Sequence, residues 1–295
     1  MSVRLTKNPQ IPWLLLLPVL LLYGILIGAG LVTAFIESLG YIPALGLLRP
    51  SWDAYRSILQ QSDFMKNTLF SIWIALVSSL LSTIFGVLIA KAISDARANR
   101  LTVLTRKSMQ LGLILPYLYG IFLVMTFLGQ AGYVSRILYH TGIIQEPRQF
   151  PALLYDASGM GMVLVFVFKG TPFVALFVSN ILSRVSAEYQ DVARTLGAGH
   201  WTVFRRIHLP LSSSVIVWCA SVLFAYDLGS FEVPYLLAAI RPVTLSTQLY
   251  SRYISPDLLK IPQAMALSVL LFLIGFSCTA LYAVILKKVL GGRIA

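Results

Sequence analysis

The chain is expected to fold as an all-α polytopic membrane protein with six transmembrane helices. Of its 295 residues 58% are apolar and only 12% charged, too little charge to clothe a soluble body of that size. Six stretches are apolar over the roughly 20 residues that a helix needs to cross a bilayer. Their apolar runs are continuous rather than alternating, which favours helices over a barrel, because hydrocarbon offers the backbone no water and each span must satisfy its own hydrogen bonds.

In chain order the spans are residues 13–36, 65–93, 108–128, 159–182, 214–239 and 263–286. The first follows Arg4 and Lys7 but is longer than the ~7–15 apolar residues of a cleaved leader, so it reads as a retained helix. The stretches 37–64 and 130–158 carry Pro43, Pro50, Pro147 and Pro151, and 240–262 carries Pro242, Pro256 and Pro262, as loops with short surface helices would. Residues 94–107 form a short basic connector, and 183–213 a longer one. There is no convincing repeat or linker, so residues 1–295 read as a single membrane domain.

The formal charge of +12 is read by its position rather than its sum, as topology and not as nucleic-acid binding. With the N-terminus cytoplasmic, fourteen Lys and Arg fall in the inner segments and eight in the outer ones, which places both termini in the cytoplasm. Cys219 and Cys278 both lie within spans and read as packing residues. His140, His200 and His208 have no metal-ligand spacing, and no nucleophile, base and acid fall together, so neither a metal site nor a catalytic site is expected. The chain also lacks the Gly-rich phosphate loop followed by Lys and Ser or Thr that ATP hydrolysis would require.

The most informative segment is the inner loop 183–213, read as a cytoplasmic coupling loop. Tyr189, Val192, Ala193 and Leu196 fall on one helical face, with Glu188 and Asp191 in the first turns where the helix dipole favours acid. Gly197 and Gly199 supply a stop and turn, and Trp201, Phe204 and Ile207 a second apolar face running up to Pro210. The expected object is a helix–turn–helix under the membrane. By periodicity alone it could equally be an amphipathic connector on the headgroups, with Arg205 and Arg206 against lipid phosphates.

Its spacing, however, resembles the cytoplasmic signature of binding-protein-dependent ABC importer permeases, in which Glu-Ala-Ala is followed at fixed offsets by Gly, Ile and Leu-Pro. Asp191-Val192-Ala193, Gly197, Ile207 and Leu209-Pro210 match position for position, with Asp for Glu and Val for the first Ala as the departures. The resemblance implies the type I importer permease fold, with residues around 188–200 seated in a cleft of a separate ATPase subunit. Glu188, Asp191, Ala193, Leu196, Gly197, Ile207, Leu209 and Pro210 would serve that docking. It further implies an ATPase dimer that holds ATP and magnesium, no cofactor on this chain, a second permease subunit of the same or a related sequence, an external substrate-binding protein, and the bacterial inner membrane as location.

Within the spans, Lys169, Asp227 and Glu232 are expensive unless paired or wetted. They are expected either to pair across two helices or to line the translocation path with Tyr226. Tyr117 and Tyr119 are weaker candidates for that path. Asp227 and Glu232, read on one helix, would stand about 140° apart. Pro116, Pro172 and Pro234 are sites where helices could kink beside a gate. Lys169-Gly-Thr-Pro172-Phe173 and the run from Gly229 through Glu232 to Leu237 resemble segments of the polyamine, ferric-iron and organic-ion branch, which implies a small polar or charged solute such as a polyamine. The competing readings are a self-contained secondary transporter or channel, which leaves the loop spacing unexplained, and an intramembrane enzyme, for which no catalytic set is in view.

Overall fold

The computed structural model describes residues 11–95, 100–195 and 197–291. Among them the chain forms twelve α-helices: α1 (Ile11–Ser38), α2 (Asp53–Leu59), α3 (Phe64–Asp95), α4 (Arg100–Ile114), α5 (Tyr117–Leu128), α6 (Tyr133–His140), α7 (Met160–Thr195), α8 (His200–Val203), α9 (Leu209–Gly229), α10 (Glu232–Leu237), α11 (Leu245–Tyr253) and α12 (Ile261–Gly291). The all-α expectation holds, and six helical stretches are long and apolar enough to cross a membrane.

The chain divides into two compact units. The first contains Met1–Gln61 and Ser251–Leu270. In it the Ser38 and Tyr55 hydroxyls lie 2.7 Å apart, the Ser51 N–H donates to Leu39 O at 2.7 Å, and Arg252 Nη2 donates to Gln61 Oε1 at 2.7 Å. The large apolar side chains of α1 are left exposed, as those of a lipid-facing helix are.

The second unit, Ser62–Tyr250 and Leu271–Ala295, is built on α3 and α7. A stripe of small residues runs along α3, in which Ser71, Ala75, Ser78, Ser82 and Ala90 are all buried. A Cβ placed on Gly86 would lie 2.5 Å from Val174 Cβ, and one on Gly170 would lie 2.5 Å from Ser82 Oγ. In lipid, helices gain nothing from excluding water from each other, so small residues that admit close backbone approach supply the packing contact instead. α9 joins this pair through Ile216, Cys219 and Leu223, and through Ala220 and Phe224.

Three sequence expectations are corrected. The span expected over 108–128 is not one helix, because it breaks between α4 and α5 at Leu115 and Pro116. The span expected over 214–239 ends at Gly229, and Ser230 turns extended before α10 begins. Asp227 and Glu232 therefore lie on different helices, and the helical-wheel angle between them has no meaning. Finally, the inner part of the loop is not a separate helix: α7 continues from the span to Thr195, which at ~1.5 Å per residue is about 54 Å, well past the ~30 Å hydrocarbon layer. Pro172 lies inside this helix without ending it, and Pro234 sits in the first turn of α10, where its missing N–H costs no helical bond.

The seam makes a direct prediction. Gly86→Ala should cost about 1–3 kcal/mol through overpacking against Val174. A thermal melt of the detergent-solubilised protein should show the loss, whereas Gly28→Ala in α1, where a Cβ meets nothing within 4 Å, should leave the melt unchanged.

Candidate functional site

Pro116 has no N–H, so the Gly112 carbonyl at the end of α4 lacks the donor that a continuing helix would give it. The donor comes from α7 instead. Lys169 Nζ donates to Gly112 O at 2.6 Å and also to Leu115 O. Its ammonium lies 5.2 Å from the centroid of the Tyr117 ring in the first turn of α5. The side chain is 5% exposed and caps the negative end of the α4 dipole. An ion pair of Lys169 with Asp227 or Glu232 was one expectation, and none forms among the described residues. The lysine is engaged by backbone carbonyls.

Tyr117 stacks on Tyr226 of α9 at 5.0 Å between centroids and meets Phe166 of α7 edge-on at 6.2 Å. Tyr226 is 46% exposed, so one side of this ring pair is open. Asp227 points the other way: it is 5% exposed and its Oδ2 accepts from Ser78 Oγ of α3 at 2.6 Å, while Oδ1 has no partner. Glu232 is exposed in the first turn of α10, where a helix favours acid. At the break before it Ser246 Oγ of α11 donates to Ser230 O at 2.7 Å, and the chain after α10 is held to α3, where Leu245 N–H donates to Ser71 Oγ at 2.9 Å and Val243 N–H to Asn67 Oδ1 at 3.2 Å. Lys169 and Tyr226 thus both meet the Tyr117 ring, while Asp227 is held by Ser78 and Glu232 stands on the next helix. Tyr226 and Glu232 are exposed, whereas Lys169 and Asp227 are buried and hydrogen-bonded.

At the far end of α7, Glu188 and Asp191 fall on its last turns, and their side chains lie outside the described residues, as does Leu196 altogether. Ala193 is half-buried. Gly197 has φ +79° and the Ala198 N–H donates to Ala193 O at 3.0 Å, the six-residue closure that ends a helix on a left-handed glycine. After α8 the chain makes a π-helical turn over Phe204–His208 and enters α9, with Ile207, Leu209 and Pro210 half-buried along it. The wide turn lies where the Pro210 ring would otherwise clash with the carbonyl four residues earlier.

Sequence reasoning missed Ser78, which holds Asp227, and Lys91, whose ammonium lies over Trp201 and Phe204. The four-residue recurrence of small residues on α3 was a signal for the first. The second spans a distance in sequence that periodicity cannot read.

Lys169→Met should leave the buried Gly112 carbonyl short of a donor, at about 1–3 kcal/mol, and the partly buried Leu115 carbonyl at less. Thermal melts should show this loss, and adding Pro116→Ala should restore part of it by returning a backbone N–H to Gly112 O. Equal stability of Lys169→Met and wild type would contradict the capping role.

Residues 83–291 match the family model described as the binding-protein-dependent transport system inner membrane component. Among curated proteins, the chain is 27% identical over 231 residues to the molybdenum transport system permease protein ModB of Mycobacterium tuberculosis, covering 77% of this chain and 81% of that one. It is 28% identical over 217 residues to the thiamine transport system permease protein ThiP of Salmonella typhimurium, covering 73% of this chain but 38% of that longer one. It is 25% identical over 200 residues to the sulfate transport system permease protein CysT of Escherichia coli, covering 65% of each. Among solved structures, a bacterial ABC transporter involved in the import of the acidic polysaccharide alginate superposes with a TM-score of 0.76 at 18% identity, over 97% of this chain and 99% of that one. With its six apolar helical stretches and the matched segment running from α3 to α12, the chain belongs to the inner membrane components of binding-protein-dependent transport systems and is a multi-pass ABC importer permease subunit.

Proposed function

We propose that the loop after α7 is the site at which this permease receives force from a separate ATPase subunit, and that the chain forms half of a translocation pathway with a second permease of the same or a related sequence. ATP and magnesium are held by an ATPase dimer beneath it, and an external binding protein delivers the solute. Both termini face the cytoplasm, in keeping with the excess of inner Lys and Arg.

The observation that carries this reading is the turn at Gly197. Its left-handed backbone and the Ala193–Ala198 closure fall at the fixed offsets from Ile207 and Leu209-Pro210 that the importer signature requires. Gly197 is exposed and bears no side chain, which lets a partner surface approach the backbone closely. Asp191, Glu188 and Leu196 belong to the same docking segment, with Ala193 on its half-buried side.

The solute is a small polar or charged one. The relatives named for molybdenum, thiamine and sulfate support that breadth, and they lend no support to a polyamine. On this chain the groups open to a solute are Tyr226 and Glu232, since Lys169 and Asp227 are already engaged.

The test is copurification of the tagged chain with its ATPase partner. Wild type should retain the ATPase and Gly197→Asp should lose it. Gly197→Asn, which the left-handed conformation tolerates, separates the turn from the docking: it should keep the fold yet still weaken retention. Full retention by a stable Gly197→Asp variant would remove the docking role from this loop.

A further inference from the structure

Phe204 stands where the inner loop turns into the membrane. Its ring is 6% exposed and belongs to a continuous buried cluster whose other members come from α3 (Val87, Ala90), α7 (Val178, Leu182) and α9 (Ile216). Trp201, three residues earlier, meets that ring at 5.4 Å between centroids yet is itself 60% exposed. Lys91, near the inner end of α3, places its ammonium 5.5 Å from the Phe204 ring and 5.8 Å from that of Trp201. The π-helical turn keeps Phe204 and His208 both buried, with their rings edge to face at 6.5 Å.

The connection between loop and bundle is therefore not the single covalent path into α9. We propose that Phe204 is a wedge that carries displacement of the cytoplasmic loop into α3 and α7 as well as α9, with Lys91 as a second tie on α3; this rests on the importer reading above. Chain continuity alone would move α9. A ring buried at the end of a cluster shared by three helices, and tied to α3 through Lys91, passes its displacement on to them, because a densely packed interior has no slack to absorb the shift. The exposed Trp201 ring extends the same tie toward the loop surface. Phe204 touches neither ATP nor solute and acts as a positioning residue.

The test needs no knowledge of the solute. The permease complex with its ATPase is reconstituted in nanodiscs, in a Cys278→Ala background that keeps the fully buried Cys219, with spin labels at Ile84→Cys on α3 and Phe122→Cys on α5, both positions exposed. ATP trapped with vanadate should change the label distance in the otherwise wild-type chain. In Phe204→Ala the ATPase should remain bound and hydrolyse ATP while the distance change is lost, and in Phe204→Leu, which refills much of the space, it should return in part. Lys91→Met should reduce it without unseating the ATPase. An unchanged distance response in Phe204→Ala overturns the wedge. If that variant does not accumulate, Phe204→Leu decides: a reduced response supports the wedge and a full one overturns it. Failure of the wild-type chain to retain the ATPase defeats the importer reading itself, and the wedge with it.

Discussion

Where α3 meets α7, Gly86 faces Val174 and Gly170 faces Ser82 so closely that neither glycine has room for a methyl group. Polar contacts deep in the bilayer follow from that approach. Lys169 precedes Gly170 on α7, so the seam fixes where its stem leaves the helix and lets it reach the end of α4. Ser78, one turn from Ser82 on α3, meets Asp227, and Ser71 and Asn67, farther along the same helix, hold the chain after α10. Since hydrocarbon gives apolar side chains no reason to prefer each other over lipid, van der Waals fit and these few hydrogen bonds are what specify the bundle.

The breaks in α4–α5 and α9–α10 are the features that a membrane would otherwise penalise most. An unpaired carbonyl in hydrocarbon costs several kcal/mol, so irregular backbone survives there only when protein groups satisfy it. A cation supplies the first break, the Ser246 hydroxyl donates to Ser230 O at the second, and hydroxyl and amide side chains of α3 accept from the backbone that follows α10. This assigns the costly intramembrane lysine to architecture and leaves the open ring of Tyr226 and the carboxylate of Glu232 as the polar surface beside the two breaks.

Much of this was legible in the sequence because its physical causes are local. Apolar length set the spans, the glycine at 197 set the turn, and the missing N–H of Pro116 marked a place where a helix could fail. What was not legible was the partner. Lys169 looked like half of an ion pair because a carboxylate is the usual remedy for a buried cation. The remedy used is a pair of carbonyls whose freedom depends on a proline in another helix. The end of α9 at Gly229 was hidden for a similar reason: the apolar run continues through residues 233–239, and the turn is held by a bond from Ser246, distant in sequence. The extension of α7 to Thr195 was hidden by the polar composition of its last turns, which reads as a loop whether or not the helix continues.

As proposed above, this chain moves a solute only as the membrane half of an ATP-driven machine. The most direct measurement is ATP-dependent uptake into proteoliposomes, with the binding protein and second permease present, comparing vesicles that hold the ATPase with vesicles that lack it. Uptake should need both ATP and the ATPase, and an ion gradient should not substitute for them. Accumulation by this chain alone, driven by a gradient, would contradict it.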